Sequence, residues 1–359
     1  MADVVVIGAG VVGASVARSL ARQGASVVLL ERFEVGHSRG SSHGNSRAFG
    51  CSYPYERLVR MAQESLTLWK HLEADTGESL VIQTGGIDAG EGVAANKRAM
   101  EASGLSCQLV DAVDVRKSVP FLHPPEDVPL LFSPDAGVIA ADKAWDTLVR
   151  SAIALGCELR EGITVEAIEP GAPVRLRTDQ GPLEADVVVV TAGPWSRRLL
   201  DTADLRLAVN ETRETVAYFK TAEDELLTYA ERRDTTFRAL TAPGKGLRVE
   251  EHLAGPQADP DEAGEPDRQN VKRLMEFVHK RFPHAAHAPY AVETCFCTSA
   301  PHGDFVLERH GNVVIGSACT GHGFRFAPFV GEQLAWLASN GASPEKKPTN
   351  EERPEAMTA

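Results

Sequence analysis

The spacing of apolar residues at the start of the chain predicts a β-α-β unit. Residues 3–7 form an almost continuous run of β-branched side chains, which is typical of a strand buried on both faces of a parallel sheet. Residues 11–23 are small and apolar with helical spacing, and residues 26–30 form a second apolar run that ends just before Glu31. The pattern therefore predicts strand, helix and strand in the first part of the chain.

Three glycines join the first strand to the helix. Gly8, Gly10 and Gly13 form the pattern G-x-G-x-x-G, in which they permit a tight turn, a close approach of backbone to a pyrophosphate, and close packing of helix on strand. The N-terminus of the helix favours phosphate, and an acid after the second strand accepts hydrogen bonds from ribose hydroxyls. The sequence therefore predicts a dinucleotide site, and Glu31 favours FAD or NAD over NADP.

Two later segments repeat the alternation of apolar strand, glycine turn and helix. Residues 183–200 contain an apolar run followed by Ala192 and Gly193, and residues 311–338 contain a strand, a glycine turn and a helix. Strands of one parallel sheet that are separated by a long insertion indicate a discontinuous domain. This organisation is common in two-domain flavoproteins, whereas NAD dehydrogenases usually keep the unit contiguous, so it favours FAD.

The rest of the chain predicts a second, strand-rich domain. Helical spacing is found in residues 57–77 and 141–155, and residues 157–170 resemble a hairpin-like pair of strands. From about 204 to 290 the pattern is that of alternating strands, with one helix at 269–281.

The composition limits the classes of function. The chain has 359 residues and a formal net charge of −13, with 43% hydrophobic and 24% charged residues. Without a basic stripe, an acidic protein is not expected to bind nucleic acid, and no apolar run approaches the ~18 residues of a membrane span. The N-terminal residues lack the features of a signal peptide, so we expect a cytoplasmic protein whose six cysteines are reduced.

Five short motifs follow one another along the chain. They are SSHGNSR (41–47), TAGPW (191–195), GLRVEEH (246–252), TCFCTSAPHGDFVLERH (294–310) and GHGFRF (321–326). With the N-terminal glycine pattern, they resemble the monomeric sarcosine oxidase family, which includes N-methyltryptophan oxidase and pipecolate oxidase. The resemblance covers most of the chain, roughly residues 1–338. It implies an FAD-dependent amine oxidase that oxidises a C–N bond of an amino acid to an imine and passes the electrons to oxygen.

The resemblance also implies roles for single residues. Cys295 matches the residue to which the family attaches FAD covalently, as a thioether to a methyl group of the flavin ring. His43 and Arg47 match a His and an Arg near the flavin, where the Arg stabilises negative charge on the reduced ring. His252 matches the active-site His beside the substrate. Arg325 stands where the family usually has a Lys that binds the substrate carboxylate, a contact that Arg can make in bidentate form.

Four positions depart from the family pattern. Gly50 stands where sarcosine oxidases have a second Arg that binds the carboxylate, and Cys297 replaces a common Tyr. Phe237 is aligned with another active-site Tyr, and Arg248 with the Lys that activates oxygen. A guanidinium keeps the positive charge but has a different geometry. The departures predict a substrate other than simple sarcosine.

The pair of cysteines at 295 and 297 leaves alternatives open from spacing alone. Side chains alternate along a strand, so both thiols are expected on one face. A buried structural thiol is the default interpretation, and no second ligand pair at metal-binding spacing accompanies them. The resemblance selects Cys295 as the flavin tether, while Cys297 is predicted either to line a pocket or to pack in the interior.

Glu250 and Glu251, next to His252, are by default predicted to be solvated. The predicted site residues fall into a catalytic and a cofactor-binding set, with no metal ligand among them. The predicted catalytic residues are His252, Arg248, Arg47 and Arg325. The predicted cofactor-binding residues are Gly8, Gly10, Gly13, Glu31, Arg32, Ser42, His43, Arg47, Val165, Ala192, Gly193, Trp195, Cys295, Gly321, Gly323, Phe324 and Arg325.

The predicted fold class is α/β with antiparallel β structure: a discontinuous Rossmann-type FAD-binding domain and a second domain with a mixed sheet. The first is expected at 1–80, 141–203 and 295–338, the substrate domain at 81–140 and 204–294, and a disordered polar tail at 339–359. The predicted function is that of a monomeric oxidase of a secondary or cyclic amino acid, with molecular oxygen as acceptor. The open alternatives are an FAD-linked dehydrogenase or tailoring oxidase of a larger amine, a NAD-dependent dehydrogenase, and a non-catalytic flavin-binding subunit.

Overall fold

The chain forms two structural units, each built from segments that are distant in the sequence. The computed structural model describes residues 2–222 and 227–340. The first unit comprises the described residues up to His43, then Trp145–Glu211, and the described residues from Cys297 onward. The second comprises Gly44–Ala144 and the described residues of Thr212–Phe296. The tail predicted at 339–359 lies, from residue 341 onward, outside the described residues.

The helices and strands are numbered in chain order. The strands are β1 (Ala2–Ile7), β2 (Val27–Leu30), β3 (Ser46–Phe49), β4 (Val81–Gln83), β5 (Gly86–Gly90), β6 (Gln108–Val110), β7 (Leu130–Ser133), β8 (Gly137–Ala140), β9 (Glu158–Arg160), β10 (Val165–Glu169), β11 (Val174–Thr178), β12 (Gly181–Val190), β13 (Asn210–Phe219), β14 (Thr228–Arg232), β15 (Thr236–Ala242), β16 (Gly246–Glu251), β17 (Ala291–Ser299), β18 (Val306–His310) and β19 (Val313–Ser317). The α-helices are α1 (Val11–Arg22), α2 (Glu56–Thr76), α3 (Val93–Ala102), α4 (Ala112–Ser118), α5 (Ala141–Ala154), α6 (Ser196–Asp201), α7 (Arg268–Arg281) and α8 (Ala327–Asn340).

The first unit contains an eight-stranded sheet with a parallel centre. β1 pairs in parallel with β2 and β12, and the parallel order continues to β9 beyond β2 and to β19 beyond β12. Antiparallel pairing adds β11 and β10 to β12, and β18 to β19. The parallel strands are buried apolar runs, as the β-branched sequence of β1 predicts.

Two helices of this unit approach each other at a glycine. α1 packs against α8, and a Cβ atom on Gly331 of α8 would lie only 2.6 Å from Cβ of Ser15 on α1. Because real Cβ atoms do not come so close, the small residues at these two positions allow the helices to pack backbone to backbone.

The second unit contains a larger and a smaller sheet. The larger has the strand order β17-β13-β16-β15-β14-β5-β7-β6, and the smaller has the order β3-β8-β4. One face of the larger sheet packs its apolar side chains, including Phe219, Leu247 and Val249, against Leu274 and Phe277 of α7. Because side chains alternate along a strand, the residues between them point to the opposite face.

Several predicted elements are present, and one prediction is wrong. α2 ends at Gly77, whose φ of +72° is the left-handed cap conformation expected of a glycine after the last helical turn. Residues 157–170, however, do not form a hairpin. β9 pairs in parallel with β2, whereas β10 pairs antiparallel with β11, because β9 closes the parallel order of the sheet and β10 starts a separate meander.

The boundary of the units differs from the predicted one at residues 44–80. The structure places these residues with the second unit, because β3 and β4 pair with β8 and because α2 packs against α3. The assignment of cofactor binding to one unit and substrate binding to the other stays a prediction. Within the ranges that the structure describes, no helix is both long and apolar enough to cross a membrane.

Candidate functional site

The glycine turn after β1 leaves no room for side chains. Gly8 has a φ of +95°, and a Cβ there would lie 2.7 Å from the carbonyl oxygen of Thr191. A Cβ on Gly13 would lie 1.9 Å from the carbonyl oxygen of Gly8. The Thr191 hydroxyl donates to the carbonyl of Ile7 at 3.0 Å, so the ends of β1 and β12 and the first turn of α1 meet at one point. This is the close packing that the predicted roles of Gly8 and Gly13 require.

The N-terminus of α1 carries no side-chain cap of its own. Gly10 is the N-cap residue, and the backbone N–H of Val11 donates to Oγ of Ser42 at 3.0 Å. A Cβ on Gly10 would come within 3.1 Å of the same oxygen. The start of this twelve-residue helix therefore presents backbone rather than side chains, with the partial positive charge of a helix N-terminus.

Glu31, directly after β2, is held as a carboxylate. It accepts hydrogen bonds from the backbone N–H of Ala9 at 2.8 Å and of Phe33 at 3.0 Å, and Nε2 of His37 lies 3.4 Å away. Burial by itself raises the pKa of Glu31, but the hydrogen bonds from His37, Phe33 and Ala9 outweigh it and lower the pKa below its ordinary value. An ionised acid thus stands at the end of β2, as the predicted ribose-binding role requires.

Aromatic and cationic side chains surround this acid. Phe33 meets the rings of His37 and Trp195 edge to face, with centroids at 4.9 and 5.6 Å. The guanidinium of Arg32 lies over Phe33 at 5.2 Å and over Trp195 at 5.8 Å from the ring centroids. Flat aromatic faces with an adjacent cation suit a nucleotide base or its phosphates.

The other predicted cofactor residues of the first unit lie in turns and strand ends. Ala192 is the N-cap residue of the 3₁₀ turn Gly193–Trp195 after β12 and lies beside Gly8. His43 is buried and Val165 opens β10. The turn after β19 holds Gly321, Gly323, Phe324 and Arg325.

Packing alone requires glycine at position 323 in this turn. A Cβ on Gly323 would lie 1.5 Å from the carbonyl oxygen of Ala318. Arg325, in the same turn, is half-buried.

In the second unit, charged residues collect on the sheet face opposite α7. On β16, Arg248 and Glu250 alternate with the core residues Leu247 and Val249, and His252 follows. Glu250 lies directly opposite Arg238 of β15 in the antiparallel register. The charge of Arg47, on β3 of the smaller sheet, also acts on Glu250, and we call Arg47, Arg238, Arg248, Glu250 and His252 the charged cluster.

Arg248 and Glu250 are the tightest pair in this cluster. Nη2 of Arg248 lies 2.6 Å from Oε2 of Glu250, and the Arg248 side chain is only 2% exposed. Burial raises the pKa of Glu250, but the charges of Arg248, Arg238 and Arg47 outweigh it and lower the pKa to about 2. Nε of Arg248 is buried without a hydrogen-bond partner among the described residues. A buried donor of this kind is costly unless a ligand satisfies it.

His252 takes a defined tautomer from its neighbour. Nη1 of Arg238 lies 2.9 Å from Nδ1 of His252, and the backbone N–H of His252 donates to the carbonyl of Thr236 at 2.8 Å. A guanidinium can only donate, so Nδ1 must accept. The neutral ring therefore carries its proton at Nε2.

Cys295 lies on the same larger sheet as Arg238, Arg248 and Glu250 of the charged cluster. The half-buried Cys295 packs against Val216 and Tyr218 of β13, and its charge interaction with Arg248 contributes to the raised pKa of that guanidinium. The hydroxyl of Tyr218 donates to Oε2 of Glu293 at 3.0 Å. The structure thus brings together four predicted residues of the second unit, namely Cys295, Arg248, His252 and Arg47.

Two sequence predictions about this region are wrong. Phe237 does not belong to the charged face, because it stacks on Phe277 of α7 with centroids at 4.7 Å; strand alternation gives the opposite face to Arg238 instead. Glu250 and Glu251 are not solvated carboxylates. Glu250 pairs with Arg248, and the buried Glu251 accepts hydrogen bonds from Arg273 and Asn270 at 2.7 and 2.6 Å.

The sequence pattern did not indicate Arg238, Tyr218, Glu293 or Cys319. Arg238 was detectable, because it alternates with apolar neighbours in a run that otherwise reads as a strand. Cys319 carried no such signal. It lies in the turn after β19, and its Sγ is 3.6 Å from Sγ of Cys297, which is buried.

These residues fit a flavin dinucleotide. The first unit offers a glycine cradle that a Cβ would fill, a helix start whose N-cap residue is a glycine, and an ionised acid. The second offers a buried, unsatisfied guanidinium donor beside a half-buried thiol. The groups of the first unit thus suit a pyrophosphate and a ribose, and those of the second suit a ring that gains negative charge on reduction.

Comparisons with known proteins agree with this fit. Residues 3–337 match the family described as FAD dependent oxidoreductase. The chain is 32% identical to the peroxisomal sarcosine oxidase of Mus musculus over 94% of this chain and 92% of that protein, and 28% identical to the monomeric sarcosine oxidase of Bacillus sp. (strain B-0618) over the same shares. The solved structure of NikD, an unusual amino acid oxidase essential for nikkomycin biosynthesis, superposes with a TM-score of 0.86 at 26% identity and covers 96% of this chain and 95% of that one.

The sequence resemblance and the predicted fold class are therefore confirmed. The family match spans nearly all described residues, and the solved relative shares the fold over nearly its whole length. The protein is an enzyme of the sarcosine oxidase-like type. The chain belongs to the FAD-dependent oxidoreductase family.

Proposed function

We propose that this protein is an oxidase of a secondary or cyclic amino acid, with FAD attached covalently through Cys295 and molecular oxygen as the electron acceptor. The relatives carry the names of sarcosine and N-methyl-L-tryptophan oxidases, and both of those substrates are N-methyl amino acids. The observation that carries the proposal is the charged cluster, in which a buried guanidinium keeps one donor unsatisfied. A flavin enzyme that removes a hydride equivalent from a C–N bond needs such a group near developing negative charge.

Bound FAD would supply the two-electron chemistry, and the protein supplies binding, orientation and charge. In the first unit, we assign the pyrophosphate to the glycine turn and the start of α1, and the ribose hydroxyls to Glu31. His43, Trp195 and the turn with Gly321 and Gly323 complete the proposed cofactor set. These assignments follow the resemblance, and the tight packing at the glycine turn supports them.

The second unit holds the proposed reactive groups. His252 keeps a proton at Nε2 and so can donate a hydrogen bond to a substrate carboxylate. Arg248 keeps its charge at any relevant pH, and its free Nε donor can stabilise negative charge. Arg47 adds positive charge near Glu250. We propose Arg325, in the first unit, as the further carboxylate ligand that the resemblance implies.

Gly50 supports a substrate larger than sarcosine. A Cβ at this position would meet its nearest neighbour, Cβ of Ala136, at 3.6 Å, which is an ordinary contact. Packing therefore does not demand glycine here. The resemblance implies a second Arg at this position, and we propose that its absence leaves room for a bulkier secondary or cyclic amino acid.

A peroxide assay tests this proposal. The purified protein is mixed in air with a panel of N-methyl and cyclic amino acids, and hydrogen peroxide release is recorded. We expect release with at least one bulky member of the panel and little with sarcosine. If no member of the panel releases peroxide and none reduces an artificial dye, with flavin present, a non-catalytic flavin-binding subunit would be favoured instead.

A second candidate, an FAD-linked dehydrogenase, is favoured by the Arg248–Glu250 ion pair. An opposing carboxylate at 2.6 Å cancels much of the positive charge that would stabilise superoxide during reaction with oxygen. The two candidates separate in one experiment: turnover with an artificial dye is compared with turnover in oxygen. An oxidase turns over as well in oxygen as with the dye, whereas a dehydrogenase turns over only with the dye.

Location and assembly are not assigned by these contacts. We propose a cytoplasmic monomer, as the sequence predicts. Gel filtration of the purified protein tests whether it is a monomer.

A further inference from the structure

Two thiols of the first unit are placed close enough to react with each other. Sγ of Cys297, on β17, lies 3.6 Å from Sγ of Cys319, in the turn after β19, and both thiols are reduced in the structure. The backbones of the two segments are hydrogen-bonded, because the N–H of Thr320 donates to the carbonyl of Thr298 at 3.0 Å. Thr298 and Thr320 are each next in sequence to one of the two cysteines, so this backbone hydrogen bond holds the two thiols side by side.

The surroundings of Cys319 favour its thiolate. Sγ of Cys297 lies 3.6 Å away, and either sulfur can be the donor in this contact. The Cys297 contact contributes most to the lowered pKa of Cys319, and with the backbone of Thr298 and Gly321 it brings that pKa to about 6 despite burial. Cys319 is half-buried, whereas Cys297 is 4% exposed.

Two buried hydroxyl groups belong to residues that are adjacent in sequence to Cys297 and Cys319. The hydroxyls of Thr298 and Thr320, each next in sequence to one of the two cysteines, are buried without a hydrogen-bond partner among the described residues. Thr320 also has a φ of +39°, an uncommon conformation for a β-branched residue. Buried groups of this kind cost free energy unless something satisfies them, and an oxygen atom on sulfur would be such a partner.

Cys157 and Cys107 differ from Cys319 in the direction in which their thiol pKa is shifted. Burial raises the pKa of Cys157 to about 11, and burial together with the charge of Glu101 raises the pKa of Cys107. Both are therefore protonated at neutral pH, and they serve as internal controls.

We propose that Cys319 and Cys297 form a redox pair, in which the Cys319 thiolate reacts with a hydroperoxide and Cys297 resolves the product to a disulfide. The proposal does not depend on the function proposed above, because the oxidant in its test is added hydrogen peroxide. An oxidase would generate the same oxidant during turnover, so the pair would then respond to the enzyme's own product.

The chemistry balances in two steps. The Cys319 sulfur attacks one oxygen of hydrogen peroxide, the O–O bond breaks, and the departing hydroxide takes up a proton to become water. The Cys297 sulfur then attacks the sulfenic sulfur of Cys319, the S–O bond breaks, an S–S bond forms, and a second water leaves. Two thiols lose two electrons and two protons, and one peroxide is reduced to two waters.

Peptide mapping of the full-length protein, as purified with its flavin, tests the proposal. After limited treatment with hydrogen peroxide, we expect one new cross-linked species that joins the peptides of Cys297 and Cys319, and its loss after treatment with dithiothreitol. Alkylation by iodoacetamide at about pH 7 should be roughly tenfold or more faster at Cys319 than at Cys107. The wild-type protein gives both results, so neither depends on the folding of a variant.

Three variants sharpen the assignment. Cys297→Ser should leave Cys319 as a sulfenic acid that dimedone traps, and Cys319→Ser should abolish the fast reaction. Cys157→Ser is the matched control and should leave the cross-link unchanged. The proposal is overturned if no Cys297–Cys319 cross-link forms, if Cys319 pairs with another cysteine, or if Cys107 is alkylated as fast. Flavin content and amino acid oxidation are measured separately, so failure here leaves the proposed function standing.

Discussion

Arg248 and Glu250 project from the same face of β16 and form an ion pair between a buried guanidinium and a half-buried carboxylate, with Nη2 and Oε2 2.6 Å apart. Their spacing of two residues makes this possible, because alternate side chains of a strand share a face. The pair leaves Nε of Arg248 without a partner among the described residues. The guanidinium is thus fixed by a carboxylate on one side and keeps a donor for a ligand on the other.

Removing the carboxylate should destabilise the protein. In Glu250→Gln, the Arg248 charge stays buried without a counter-ion, which typically costs about 3 kcal/mol or more. Urea unfolding measures the loss. The matched control is Glu308→Gln, whose carboxylate is 43% exposed and contacts only His310 among the ion pairs of the described residues. Equal stability of the two variants would contradict a Glu250 that neutralises the buried charge of Arg248.

The same carboxylate should give stability a distinct pH dependence. The pKa of Glu250 is about 2 in the folded protein, below its ordinary value of 4.5, so ionisation favours the folded state. Its contribution is complete above about pH 4.5 and is lost as the pH falls towards 2. The stability difference between wild type and Glu250→Gln should therefore shrink on acidification. A difference that stays constant from neutral to acidic pH would show that the folded pKa is not lowered.

The glycine turn predicts the effect of a single methyl group on flavin binding. In Gly13→Ala, the new Cβ would lie 1.9 Å from the carbonyl oxygen of Gly8, so the turn must open and the cofactor should be lost. We expect the ratio of flavin to protein absorbance to fall at least about tenfold. Gly50→Ala is the control, because its Cβ meets only an ordinary contact at 3.6 Å. Full flavin content in Gly13→Ala would exclude this turn as the dinucleotide cradle.

The two cysteines of β17 should behave differently towards the flavin. After precipitation with acid, Cys295→Ser should give a colourless pellet and free FAD in the supernatant, whereas Cys297→Ser should give a yellow pellet like the wild type. The reason is that Cys295 packs beside Tyr218 and interacts with Arg248, whereas Cys297 is buried against Cys319. The reverse pattern would assign the tether to Cys297, and a colourless wild-type pellet would exclude covalent attachment.

The sequence predicted the first unit well because local patterns determine it. The G-x-G-x-x-G turn, the buried strands and Glu31 are set by spacing within thirty residues, and the structure places Gly8, Gly13 and Glu31 as that spacing requires. The same holds for the end of α2, where Gly77 takes the left-handed conformation.

The charged cluster was only partly predictable because it depends on strand register. Arg248 and His252 were indicated by a motif, but the position of Arg238 opposite Glu250 follows from the pairing of β15 with β16. A shift of one residue exchanges the faces, which is why Phe237 was placed wrongly. The contact of Cys297 with Cys319 joins residues from a strand and a distant turn, and no local pattern encodes such a contact.

Anaerobic reduction of the flavin tests the central claim most directly. The purified protein is mixed without oxygen with each secondary or cyclic amino acid of the panel, and the visible flavin band is followed before and after air is admitted. The account predicts that at least one amino acid bleaches the band and that air restores it. Purification without flavin, or a band that no amino acid bleaches, would contradict an FAD-dependent amino acid oxidase.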